Sequence, residues 1–330
     1  MTRVSVLLPT YNRAGFLPAA FDAIIGQTLT DWELVIVDDG STDDTARVVD
    51  ELKARLAQRV VYVKQSNEGA YGARNTALDH AAAPLVAFYD SDDIWLPHHL
   101  SNSVAALDAA PDVDWVYAAC RIVDLASGRT IDPDTFLLDG APRPFRRLRH
   151  HLVGRLHVVD DDAAVACAIR DGLYCGLQNS VIRRSVFERE RFHTSFRNEA
   201  EDQLFVIRAI KQGFRIGYLD DVHVQYQIHE ANSSASATGQ SVDRELAVYR
   251  PLVRGFEELT HEFAWSPAER RELHRRLSHD WFWHIGYAIL WKAGRRAEAL
   301  EAFRAGLRFW PWSPSCWKTY LLARLRTAVG

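Results

Sequence analysis

The residues best suited to chemistry lie in four clusters within the first hundred positions, the densest being Asp90-Ser91-Asp92-Asp93. Carboxylates crowded onto one turn repel each other. A hard divalent cation, Mg²⁺ or Mn²⁺, relieves that repulsion and can bridge to the oxygens of a diphosphate. Asp93 or Ser91 could equally cap a helix running toward Pro97. Asp38 and Asp39 offer acceptors for a ribose hydroxyl or the imide of a uracil ring, or, more plainly, for a turn or helix start. The segment Asn67-Glu68-Gly69-Ala70-Tyr71-Gly72-Ala73-Arg74-Asn75 places glycines where a backbone can approach phosphates, although Gly69 alone would serve a simple turn. Arg74 within it is a fixed partner for a phosphate or a base. Pro9, Thr10, Tyr11, Asn12 and Arg13 form the fourth cluster.

Strand-like runs at residues 4–8, 33–37, 60–63, 85–89 and 115–118 alternate with helical patterns near 17–26, 44–57, 70–82 and 97–109. That alternation predicts βαβ units around a mainly parallel sheet, with ligands bound at the carboxyl ends of the strands. The polar clusters beginning at Pro9, Asp38 and Asp90 each follow a strand, so they should converge on one rim. Ser41, Thr42 and Asp43 precede the second helix as capping candidates. Residues 125–175 are less regular and carry the basic run Arg146-Arg147-Leu148-Arg149-His150-His151, consistent with an insertion on the acceptor side. From Trp265 the pattern is helical, and one pair of amphipathic segments joined near Gly294 predicts a docked helical subdomain. The expected domains are therefore 1–239, divided at residue 120 into a nucleotide-binding and an acceptor-side half, and a helical appendage over 240–330.

A composition of 48% hydrophobic and 25% charged residues excludes a disordered or fibrous chain. Cys120, Cys167, Cys175 and Cys316 form no CxxC pair, which argues against a zinc or disulfide framework and for a reducing cytoplasm. The early Pro9 argues against a signal peptide, and the longest apolar stretch, 281–291, is too short to cross a membrane. Residues 264–330 hold 12 Lys and Arg against 5 Asp and Glu, a net of +7, which leaves −11 for the preceding 263. An acidic first part suits a bound cation. Seven of the ten tryptophans fall in the basic tail, where they would pack as core against the catalytic domain or a second subunit, or form an interfacial membrane surface.

Taken together these motifs resemble glycosyltransferase family 2, the inverting enzymes of the GT-A fold. The resemblance rests on Val4-Ser5-Val6-Leu7-Leu8-Pro9-Thr10-Tyr11-Asn12, Val35-Ile36-Val37-Asp38-Asp39-Gly40-Ser41-Thr42-Asp43, Asn67-Glu68-Gly69 with Arg74-Asn75, and Asp90-Ser91-Asp92-Asp93, in order and spacing. Asn179-Ser180-Val181-Ile182-Arg183-Arg184, Glu201-Asp202-Gln203-Leu204 and Tyr226-Gln227-Ile228-His229 extend it beyond the first 110 residues. It implies that Asp39 binds the base, Asp38 and Arg74 the rest of the nucleoside diphosphate, and Asp90 and Asp92 the ribose and metal. Asp202 would be the general base, with Glu201 the competing candidate. His229 would ligate the metal, contact the diphosphate, or serve as a structural histidine. Gln227 stands where the family commonly has arginine, which shifts weight to Arg74 or His229.

The implied reaction is metal-assisted single displacement of a nucleoside diphosphate, UDP favoured, by the hydroxyl of a carbohydrate, lipid-linked or other acceptor, in bacterial polysaccharide or glycoconjugate synthesis. The implied place is the cytoplasm, with peripheral contact at the inner face of the membrane, or a homodimer, made through the C-terminal helices. A nucleotidyltransferase would normally show a lysine-containing Gly-rich loop after the first strand, and Pro9–Arg13 has no lysine. A dinucleotide oxidoreductase is disfavoured by the absence of GxGxxG, and nucleic-acid binding by the absence of its motifs. A non-catalytic sugar-nucleotide-binding scaffold is the remaining alternative, opposed by the presence of Asp90, Asp92 and Asp202 together.

Overall fold

The computed structural model describes residues 2–195, 201–229 and 241–329, which form two compact units. The first comprises Met1–Ala164 and Gly172–His229; the second comprises Val165–Asp171 and Glu230–Gly330. The expected boundary at 239/240 lies outside the described residues.

The first unit opens as β1 (Val4–Thr10), α1 (Leu17–Ile25), β2 (Trp32–Asp38), α2 (Thr45–Lys53), β3 (Val60–Lys64), α3 (Ala70–His80), β4 (Leu85–Phe88), β5 (Ile94–Trp95), α4 (His99–Ala109) and β6 (Trp115–Asp124). β7 (Thr130–Asp132), the small hairpin of β8 (Leu137–Leu138) and β9 (Ala141–Pro142), β10 (His150–Val153) and β11 (Leu156–Val159) follow. After α5 (Ala164–Arg170), which from Val165 on belongs to the second unit, come β12 (Ser180–Arg183), α6 (Val186–Arg189), α7 (Glu201–Lys211) and β13 (Ile216–Ile228).

An eleven-stranded sheet has the order β10-β11-β13-β6-β12-β4-β1-β2-β3, with β5 added to β13 and β7 to β6. β1 pairs in parallel with β2 and β4, and β2 with β3. All seven residues of β2 are buried, as a strand covered on both faces must be. β12 runs antiparallel between β4 and β6, so the parallel half ends there. Because β1, β2 and β4 run the same way, Thr10, Asp38 and the turn after Phe88 emerge on one edge, and Thr10 is registered against Asp38.

The second unit is helical: α8 (Val242–Glu262), α9 (Pro267–His279) continuing into a π-helical segment (Asp280–Trp291), α10 (Arg296–Phe309) and α11 (Pro314–Val329). Helices throughout fit the expected helical appendage over 240–330, but α11 adds to the single pair legible after Trp265, and α8, which contains Pro251, is not legible as a separate helix. Ser266 and Glu269 form a capping box that starts α9. Gly306 of α10 meets Phe282 so closely that a Cβ there would stand 2.8 Å from the Phe282 Cβ. Residues Val165–Asp171 belong to this unit, and Arg276 Nη1 donates to the Ile169 carbonyl at 2.9 Å. The tail tryptophans divide: Trp265 is buried, whereas Trp312 is 82% exposed.

Candidate functional site

The turn after β2 is built on two buried carboxylates with different partners. Asp38 Oδ1 accepts from the Ser41 backbone N–H at 2.7 Å and Oδ2 from the Tyr62 hydroxyl at 2.8 Å. Asp39 reaches the next loop instead: Oδ1 accepts from Gln65 Nε2 at 2.8 Å and the Glu68 N–H at 2.9 Å, and Oδ2 from the Gly69 N–H at 2.8 Å. A carboxylate has about four acceptor positions, so these three bonds leave Asp39 room for one further donor. Gly69 has φ +85° and ψ 171°, a conformation essentially reserved for glycine, and this aims its N–H at Asp39.

The cluster after β1 is tied to the same turn. Asn12 adopts φ 52°, accepts the Thr42 N–H on Oδ1 at 2.8 Å, and donates its own N–H to Ser41 Oγ at 2.9 Å. Ser41 and Thr42 thus bind this loop, and Asp43 joins them by accepting the Ala14 N–H at 3.1 Å while also accepting the Thr45 N–H; Asp44, at the start of α2, provides no side-chain cap. Thr10 Oγ1 is buried with no hydrogen-bond partner among the described residues, whereas Tyr11 is 47% exposed. Pro9 stands beside Val37 in the parallel ladder.

The turn after β4 distributes its carboxylates among four partners. Asp90 Oδ1 accepts from Arg74 Nη2 at 2.9 Å. Asp92 Oδ2 lies 3.1 Å from His229 Nε2 and 3.4 Å from Arg13 Nη2. Asp93, fully buried, accepts the Gln227 N–H at 3.0 Å, and Gln227 Nε2 donates to the Asp92 carbonyl at 2.8 Å. Asp93 therefore fixes the turn to β13 rather than capping α4, whose start carries no side-chain cap. Ser91 is buried in this turn. The Arg74 guanidinium also stands 3.5 Å from Asp202 Oδ1 at the start of α7. The Glu201 side chain lies outside the described residues. Asn67 and Gly69 lie on the loop that Asp39 organises.

Charge follows this geometry. Burial pushes the Asp90 carboxyl above its usual range; Arg74 opposes the shift, while Asp92 and Asp202 reinforce it. Burial also drives Asp93 well upward, with Asp90 and Asp92 adding to it. For Arg74, burial disfavours the charge but Asp90 and Asp202 outweigh it, so the cation is held more firmly than usual. The turn thus presents carboxylates with incomplete positive compensation, and its oxygen-rich donor set fits a hard divalent ion. Among the candidate ligands, Asp92 and His229 are in contact and Asp90 is turned onto Arg74.

Three residues join the site without a sequence signal that singled them out. Tyr71 lies under Arg74, with 5.2 Å from guanidinium carbon to ring centre; burial and the nearby Asp202 push its phenol well above the usual value. Its position three residues before Arg74 on one helix was the available clue. Phe16 packs against His229 with ring centres 4.7 Å apart. Phe192 exchanges two hydrogen bonds with the Asn75 amide, tying it to α3.

A mainly parallel sheet with this acidic edge is the architecture of the GT-A class of glycosyltransferases. The model of glycosyl transferase family 2 matches residues 5–189, more than half of the chain, and the chain belongs to that family. It is similar to the succinoglycan biosynthesis protein ExoW of Rhizobium meliloti, 29% identical over 234 residues that cover 67% of each chain. Three curated relatives are matched over only 40%, 67% and 47% of their own length. Among solved structures, S. aureus TarS 1-349 in complex with UDP-GlcNAc aligns with TM-score 0.64 at 20% identity, covering 93% of this chain and 81% of that one. A mannosyltransferase from Pyrobaculum calidifontis in complex with GDP-Man and Mn²⁺ aligns with TM-score 0.58 at 22% identity, covering 99% and 81%. At these identities the structural likeness concerns the fold.

Proposed function

We propose that the chain is an inverting glycosyltransferase that moves a sugar from a nucleoside-diphosphate donor, UDP favoured, onto an acceptor hydroxyl. The observation that carries this reading is the gathering of Asp39, Asp90, Asp92, Arg13, Arg74, Asp202 and His229 around the carboxyl ends of three parallel strands. Asp39, with one acceptor position left, suits a single N–H of the base. Thr10 Oγ1 is a further polar atom at the same strand end awaiting a partner.

Asp92 and His229, with Asp90, would hold the divalent ion, which when bound supplies positive charge to the departing diphosphate. Arg13 and Arg74 orient and neutralise phosphate oxygens from the protein side. Asp202, partly exposed beside Arg74, accepts the acceptor's proton as the hydroxyl attacks the anomeric carbon and the sugar–phosphate bond breaks. A single displacement inverts the anomeric centre. The UDP preference is supported by the name of an Escherichia coli relative, a UDP-Glc-dependent glucosyltransferase, and a role in polysaccharide or glycoconjugate synthesis by the name of the Rhizobium relative.

No helix among the described residues is long and apolar enough to cross a membrane. α11 nevertheless exposes Trp317, Leu321, Leu322 and Leu325 among Lys318, Arg324 and Arg326. That pattern supports peripheral contact with anionic lipid at the inner face of the membrane, where a lipid-linked acceptor would be found. The catalytic reading is tested by UDP release from UDP-hexoses in the presence of acceptor candidates. An Asp202→Asn variant should lose about 10²- to 10⁴-fold in kcat; undiminished transfer would remove Asp202 from the base role.

A further inference from the structure

A second polar cluster lies away from the carboxylate turn and is not used by the transfer chemistry. The pairing of β13 with β6 shifts register at Val222 and again at Val224, an irregularity of the kind that re-aims side chains. His223, in that stretch, is fully buried. Its Nδ1 lies 3.3 Å from Nδ1 of the equally buried His99, so one of these two nitrogens carries the hydrogen between them. Its Nε2 lies 3.2 Å from Asp221 Oδ1, an ion-pair contact between two buried atoms that is off hydrogen-bond geometry. The half-buried His98 meets the His223 ring edge-on at 4.8 Å between centres. One ligand atom each from His98, Asp221 and His223 lies within 4.8 Å of the others, the only such group among the described residues.

We propose that His98, Asp221 and His223 form a second metal site, for an imidazole-preferring first-row ion such as Zn²⁺. Buried polar atoms that meet off hydrogen-bond geometry are incompletely satisfied, and a shared ligand would complete them. An ion between His223 Nε2 and Asp221 Oδ1 satisfies both. The outer contacts fit the same assignment, because ligating imidazoles and carboxylates are held by hydrogen bonds from behind. His223 Nδ1–H would donate to His99, Asp221 Oδ2 accepts from Arg155 Nη2 at 2.9 Å, and His98 Nε2 stands 3.2 Å from the Val222 carbonyl. Two imidazoles and one carboxylate select against Mg²⁺ and Ca²⁺, which distinguishes this site from the oxygen-rich donor turn. The ion would pin the Pro97–His98 corner to β13, where the Leu96 N–H already donates to the His223 carbonyl at 2.9 Å.

The test is titration of the reduced, chelator-treated protein with Co²⁺ followed by visible absorption, with Zn²⁺ competition. His98→Gln and Asp221→Asn are suitable variants because both side chains are only partly buried; Asp92→Asn is the control for the donor turn. The expected result is a Co²⁺ site with d–d bands and no thiolate charge-transfer band, displaced by Zn²⁺ and retained in Asp92→Asn, where the donor turn is disabled. In His98→Gln and Asp221→Asn, affinity should fall by more than the roughly 10- to 100-fold that outer-contact changes cost. If either variant fails to fold, Zn-edge absorption fine structure of the parent protein decides, with scattering from two imidazoles expected. Absence of Co²⁺ binding, thiolate bands, single-imidazole scattering, or loss confined to Asp92→Asn would each overturn the proposal.

Discussion

Arg74 stands 3.5 Å from Asp202 while donating to Asp90 at 2.9 Å, so one buried guanidinium links the carboxylate proposed as base to the turn proposed to hold the diphosphate. Neither carboxylate can lose this neighbour without consequence for the other. Replacing Arg74 by methionine should reduce stability by about 1.5–3 kcal/mol, the range for a hydrogen bond to a charged group. It should also weaken donor binding. Urea denaturation and calorimetry on the same variant check both effects, and a protein of unchanged midpoint and donor affinity would contradict the linkage.

Asp39→Asn tests the base-binding edge. All three groups facing this carboxylate are donors, so the introduced amide NH₂ must confront at least one of them. Stability should fall by roughly 1.5–3 kcal/mol, and UDP affinity should fall with it. Gly69→Ala should have a related effect through the backbone, because φ +85° with ψ 171° costs an L-residue about 1–3 kcal/mol. Thermal denaturation of the two variants, compared with their nucleotide affinities, shows whether the loop and the carboxylate act as one unit.

Much of this arrangement was legible in the sequence, and the parts that were not share a cause. Apolar runs such as Leu34-Val35-Ile36-Val37 announced strands buried on both faces, and polar clusters after them announced a common edge. What periodicity cannot reveal is which acceptors the protein itself consumes. Tyr62 on Asp38 and Gly69 on Asp39 come from 24 and 30 residues further along the chain. The antiparallel β12 was equally hidden, since Ser180-Val181-Ile182-Arg183 reads the same in either direction. α8 falls inside the expected helical appendage, but its bounds were not legible because Pro251 breaks its pattern.

Glu33, at the opposite end of β2 from the site, gives a pH dependence for the fold. Burial raises its pKa, but hydrogen bonds from Ser5 and the Ala82 N–H and the ion pair with Arg59 outweigh burial and leave it below the ordinary 4.5. A carboxyl whose folded value is depressed contributes stability above its unfolded pKa and loses it as pH falls through the folded value. Glu33→Gln should therefore be less stable than the parent at neutral pH, with the difference shrinking below pH 4.5. Thermal midpoints across that range measure it; a constant difference would contradict the assignment.

The lipid-contact reading makes a separate prediction. Vesicles rich in anionic lipid should float the protein at low ionic strength, and salt should weaken the association. Leu321→Ser with Leu325→Ser should abolish flotation while leaving nucleotide binding intact, because both side chains are exposed on α11. No difference between anionic and neutral vesicles would remove the charge-based part of this reading.

The central claim is a metal-dependent nucleotide site at the edge formed by Asp39, Asp92 and His229. Calorimetric titration with UDP, dTDP, GDP and CDP, each with Mn²⁺ and with excess chelator, tests it most directly. The account predicts a preference for one nucleotide, UDP, that needs the metal and is lost in Asp92→Asn. Equal binding of UDP with and without metal, or full retention in Asp92→Asn, would contradict it.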